Sequence, residues 1–135
     1  MPFIAKYTVF DLGPSLPVMT QKMLRHCHQL VVVLEPTEGS VRHTRALISD
    51  LIATGVDKRR IATVLNFRMR SDLYLSMNQV AEKLAHPVSV TVTPAPELLM
   101  QAWRKKTTAF FAQPEGLTAQ QFIQLTNQII ERMPR

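Results

Sequence analysis

The sequence predicts an α/β domain built on a mostly parallel sheet with flanking helices. Short runs of β-formers alternate with helix-spaced segments along nearly the whole chain. The run LVVVL, Leu30–Leu34, is continuously apolar, as in a strand covered on both faces. The connectors are short, which favours parallel strands joined by right-handed crossovers. The 135 residues suffice for one domain with its own core, and a hydrophobic fraction of 46% argues against disorder. No repeat, low-complexity tract or linker divides the chain, so residues 1–135 read as a single domain.

Residues 7–12 (YTVFDL) are rich in β-formers and stop at Gly13 and Pro14, which predicts a buried strand with a turn behind it. Residues 18–28 have helical spacing, with Val18, Met19, Met23, Leu24 and Cys27 on one side. After the LVVVL strand, the polar EPTEG segment is a loop. Ser40 is placed to cap the next helix, whose apolar positions are Val41, Leu47, Ile48, Leu51 and Ile52, and Gly55 suits its left-handed stop. A third strand, IATVL, ends at Asn66.

Ser76 and Gln79 have capping-box spacing and start a helix with Met77, Val80, Ala81 and Leu84 on one face. Residues 88–92 (VSVTV) alternate like a fourth strand. The stiff TPAP turn follows, and Pro96 suits the first position of a helix that runs to about Lys106. The QPEG stretch breaks the pattern. Thr118 and Gln121 repeat the capping-box spacing ahead of a last helix reaching about Arg132. The predicted order is β-α-β-α-β-α-β-α-α.

Composition excludes several classes. No apolar run approaches the ~18 residues that span a bilayer, so membrane insertion is not expected. The N-terminus (Met1, Pro2, Phe3, Ile4) lacks the apolar core of a signal peptide. A single cysteine forms no internal disulfide and fits a reducing cytoplasm. The net charge of +6 permits attraction to nucleic acid or anionic lipid, but the cations are spread in small clusters such as Lys58-Arg59-Arg60 and Arg104-Lys105-Lys106, as on a solvated basic surface. The four glycines, Gly13, Gly39, Gly55 and Gly116, precede Pro14, Ser40, Val56 and Leu117. No Gly-Lys pair exists, so the chain has no Walker-type phosphate loop, which needs clustered glycine amides and a lysine.

YTVFDLGPSL resembles the Walker B strand of MinD/ParA-type ATPases, with Asp11 in the magnesium-side position. LVVVLEPTEGSVRHTRALISDL is similar to the next strand, loop and helix of that family. IATVLNF resembles the strand ending in an asparagine, here Asn66, close to the adenine. VSVTVTPAPELL resembles the strand and proline loop passing over the base, with Pro94 in that loop. PEGLTAQQFIQLTNQII is similar to the closing helix. The style is closest to members linked to pilus assembly, the CpaE/TadZ type.

The resemblance implies the C-terminal half of a P-loop NTPase domain. Family members carry about as much chain again before the Walker B strand, including the phosphate loop and the strand lying between the Walker B strand and the one matching Leu30–Leu34. The expectation is therefore a lobe that is non-catalytic alone and acts in assembly or positioning, of the partitioning, septum or pilus type. No cofactor is expected for the isolated chain, with ATP and magnesium entering only if the other half is supplied. A sheet opened at that strand leaves ladder groups unpaired. Three remedies are direct pairing of the flanking strands, a homodimer that swaps an N-terminal segment, and a separate polypeptide carrying the phosphate loop.

Other candidates weigh less. Asp11 also suits a turn-capping carboxylate, and Asn66 an amide satisfied by loop backbone. His26, Cys27 and His28 are adjacent on a predicted helix, so they point ~100° apart and do not converge on one metal ion. Glu35 and Glu38 read as solvated loop carboxylates. Arg104, Lys105 and Lys106 are candidates for non-specific DNA binding of the partitioning type, with Trp103 expected to pack in the core beside them. The last helix, with Phe122, Leu125, Ile129 and Met133 in register, is expected to dock on the sheet rather than on lipid.

Overall fold

A computed structural model describes residues 5–14 and 18–133; the readings at residues 1–4 and at Arg135 lie outside them. Three parallel strands, β1 (Leu30–Leu34), β2 (Ile61–Asn66) and β3 (Val90–Val92), form a sheet of order β1-β2-β3. Leu30 pairs with Ile61 and Leu34 with Leu65 on one side of β2, and Val64 pairs with Val90 on the other. The helices are α1 (Val18–Leu24), α2 (Glu38–Ala53), α3 (Met77–Leu84), α4 (Pro96–Arg104), α5 (Ala109–Ala112) and α6 (Leu117–Glu131).

Strand alternation divides the apolar residues between two faces. Leu30, Leu34, Ile61 and Leu65 share one face and are buried with Val41, Ile48 and Leu51 of α2 and Val80 and Leu84 of α3. Ala62, Val64 and Val90 point the other way, where α6 packs along β3. Each fully buried Leu, Ile or Val of this kind contributes about 1.5–3 kcal/mol, so the sheet is held chiefly by the residues around β2.

Side-chain bonds fix the course of α6. Gln121 Nε2 donates to Thr93 Oγ1 beyond the end of β3, and Gln128 Nε2 donates to the Ser89 carbonyl before its start. The Arg132 carbonyl then accepts from Gln29 Nε2 at the entry to β1. The helix therefore runs against the strand direction and crosses from β3 toward β1 at the sheet's N-terminal end. It docks on the sheet as expected, through polar anchors as well as apolar contacts.

One expected strand does not form. Residues 7–12 have no regular secondary structure; Tyr7 and Phe10 are about half exposed and Val9 is 93% exposed. β-propensity alone does not hold a strand that has no ladder partner and no layer over it. Among the described residues, β1 has a strand on one side only. Its outer residues Val31 and Val33, on the face shared with Gln29, are 42% and 61% exposed.

Local chemistry explains the helix ends. Thr37 caps α2, its hydroxyl accepting from Ser40 N, while the Ser40 hydroxyl accepts from Glu35 N. The cap thus falls three residues before the Ser40 expected. Gly55 takes the left-handed conformation after α2, with φ of 98°. The Ser76–Gln79 capping box forms as expected. At α6 the cap is Gly116, and Thr118 is buried inside the first turn. Gln121 makes its tertiary bond to Thr93 in place of a capping box. The helix read over residues 18–28 stops at Leu24, where Arg60 donates to the Leu24 and His28 carbonyls.

Two local predictions follow from conformation and charge. Ala85 ends α3 with φ of 53°, a left-handed position where glycine has no Cβ penalty. Ala85→Gly is expected to stabilise the chain by about 0.5–1 kcal/mol, read by chemical denaturation. Asp57 caps the turn before β2, and its hydrogen bonds from the Arg59 side chain and backbone hold its carboxyl down from 3.8 to about 2. A carboxyl depressed by folding keeps its stabilising pair above the unfolded value and loses it as pH falls through the folded one. Side-chain carboxyl NMR should place the Asp57 midpoint near about 2, and Arg59→Ala should move it back toward 3.8.

Candidate functional site

Loops at the C-terminal ends of parallel strands are where open α/β sheets bind ligands. Here the loop after β1 is pinned from three directions. Glu35 pairs with Arg68 at 3.3 Å, the Pro36 carbonyl accepts from Leu75 N, and Glu38 pairs with Lys83 at 3.1 Å. Both glutamates are therefore ion-paired and the acid/base reading of them gains no partner geometry. The loop after β2 starts at Asn66, which is half-buried and in register with Val92. Phe67 N donates to the Val92 carbonyl, and the Phe67 ring stacks edge-on with Tyr74 at 5.7 Å.

The loop after β3 borders a cavity of about 680 Å³. Its walls include Thr93, Pro94, Glu97, Gln101, Leu117 and Thr118. It is largely open to solvent rather than enclosed. Pro94 lines it, whereas Asn66 and Asp11 do not. Asn66 and Pro94 thus follow neighbouring strands without sharing one cavity. Asp11 lies in the irregular segment, where its Oδ1 accepts from Gly13 N at 3.1 Å.

The residues lining this depression do not fit a nucleoside triphosphate with magnesium. The cavity wall carries Glu97 and no lysine or arginine. Of the four glycines only Gly116 adjoins these lining residues in sequence, and Asp11 serves a turn. Phosphate binding needs convergent amides and cations, and neither is assembled here. No metal-holding group of three or more His, Cys, Asp or Glu occurs among the described residues. Cys27 is half-buried against the core, and its Sγ donates to the Met23 carbonyl.

The basic segment departs from expectation at Trp103. Arg104, Lys105 and Lys106 are exposed at the end of α4, and Trp103, expected in the core, is 83% exposed. The small residues Ala102 and Ala109 fill the buried position between α4 and α5, so the indole has no site there. Spacing alone does not decide between Ala102 and Trp103, which point ~100° apart; the contact with α5 does.

The parallel sheet with helices on both faces is an α/β arrangement, and its fold is similar to part of the fold of MinD and ParA family ATPases. No family model matches the chain, and no curated protein matches it. Among solved structures it is similar to the septum site-determining protein MinD complexed with Mg-ADP from Pyrococcus horikoshii, with TM-score 0.74, 18% identity, and 88% of this chain against 48% of that one. It is also similar to a ParA family ATPase from Chlorobium tepidum, with TM-score 0.69, 16% identity, and 81% against 44%. The MinC:MinD cell division complex of Aquifex aeolicus matches with TM-score 0.68, 16% identity, and 93% against 49%. The chain therefore spans about half the length of the structures it matches, and what it shares with them is the fold. No helix among the described residues is long and apolar enough to cross a membrane.

Proposed function

We propose that this chain is a lobe of the MinD/ParA type that turns over no nucleotide alone and acts in assembly or positioning through a partner strand. The observation that carries this reading is the one-sided β1, with Val31 and Val33 exposed beside it. An unprotected edge of apolar β-branched residues, free of Lys, Pro or a bulge, is a template for another strand. The absence of any Gly-Lys pair supports the non-catalytic part. The partner is a second copy, donating residues 7–12, or a separate polypeptide bearing the phosphate loop. With the latter, ATP and magnesium would sit between the two, Asp11 toward the metal side and Asn66 and Pro94 toward the base. A role of the CpaE/TadZ kind in a cytoplasmic bacterial assembly is the finer form of this proposal.

Purified chain with ATP and magnesium is expected to release no phosphate above background, and light scattering to give a mass above that of one chain at high concentration. Hydrolysis abolished by a point substitution in the chain itself would contradict the first part. A mass of one chain at every concentration, with no change on adding a phosphate-loop half, would contradict the second.

Non-specific DNA binding through Arg104, Lys105 and Lys106 is the second reading, favoured by the exposure of all three. It would weaken steeply with salt. It leaves unexplained the apolar side chains beside those cations.

A further inference from the structure

We propose that the outer ridge of α4, with the basic segment that ends it, docks the chain onto an anionic lipid surface. This is independent of the strand-accepting edge. Leu99, Met100 and Trp103 are 56%, 59% and 83% exposed, and with Arg104 they lie together on the outer face of the helix. Lys105 and Lys106 follow at once. No acidic residue occurs from Leu98 to Thr107; the nearest, Glu97, lies in the helix's first turn. A monomeric surface seldom places this much apolar area beside three unpaired cations without a use for both.

The backbone gives a second observation. Lys106 N donates to the Trp103 carbonyl at 2.9 Å and Thr107 N to the Ala102 carbonyl at 3.0 Å. This is the paired-bond helix stop whose left-handed position normally belongs to glycine. Lys106 occupies that position with φ of 51°. A lysine there is conformationally worse than glycine, and its ammonium makes no ion pair among the described residues. Glycine at this point would relieve the strain and remove the charge together, so the position separates stability from binding.

The chemistry of the patch selects the partner. Duplex phosphates would use the cations and leave Leu99 and Met100 in water. A protein partner would need an acidic groove matched to a projecting ridge. A bilayer interface takes every component: the indole at head-group depth, Leu99 and Met100 among the acyl chains, and the three cations against anionic head groups.

The chain has one tryptophan, so its fluorescence reports this site alone. Vesicles of phosphatidylglycerol and phosphatidylcholine should blue-shift Trp103 emission and co-sediment the chain, and vesicles of phosphatidylcholine alone should do neither. Lys106→Gly should weaken co-sedimentation about fivefold while raising the thermal midpoint, a pairing that simple destabilisation does not produce. Trp103→Ser, a change at an exposed position, should weaken it roughly tenfold. No shift with anionic vesicles at low salt overturns the proposal, as does equal binding to neutral ones or full binding by Lys106→Gly. An emission shift with duplex DNA and none with vesicles overturns it in favour of nucleic acid.

Discussion

The pairing of β2 with a parallel strand on each side is the interaction on which the rest of this molecule depends. β2 is buried from Ile61 to Leu65 on both faces, so each of its amides and carbonyls must find a partner in the ladder. β1 and β3 supply those partners in fixed register. That register decides which side chains meet α2 and α3 and which meet α6. A slip of one residue would exchange the two faces and turn Leu65 out of its core.

The same arrangement leaves β1 asymmetric. Its inner edge is paired and its Leu30 and Leu34 are buried, whereas Val31 and Val33 stand open beside α6. β3 is short and capped by the Thr93–Gln121 and Ser89–Gln128 bonds, so its exposed side is managed by a helix. Among the described residues β1 has no comparable cover. The irregular course of residues 7–12 belongs to this imbalance: a β-forming segment without a ladder neighbour gains too little to order as a strand. The consequence among the described residues is a sheet with one open edge, the feature on which the proposed acceptance of a partner strand rests.

Much of this was legible in the sequence. The continuous apolar runs at β1 and β2, the Ser76 capping box, Gly55 and Pro96 each act through local chemistry, and each fell where spacing placed it. What failed was settled by distant partners. Residues 7–12 carry the composition of a strand, but pairing is a tertiary fact. Ser40 and Thr118 have capping chemistry, yet Thr37 and Gly116 take the caps because Ser40 serves Glu35 and Gln121 serves Thr93. Trp103 was expected in the core beside the basic trio, whereas Ala102 and Ala109 are the buried residues of α4 and α5. Of the candidate site residues, sequence order placed Asn66 and Pro94 at adjacent strand ends; it could not show that only Pro94 borders the depression after β3.

Hydrogen exchange of the β1 amides by NMR tests the central claim most directly. In dilute solution, alternate amides between Leu30 and Leu34 should exchange at rates set by solvent exposure while their neighbours, bonded to β2, stay protected. Protection of the fast set should then grow as the chain is concentrated or given a partner. Uniform slow exchange across β1 in a dilute, single-copy species would mean that the edge is already closed, and the account would be wrong.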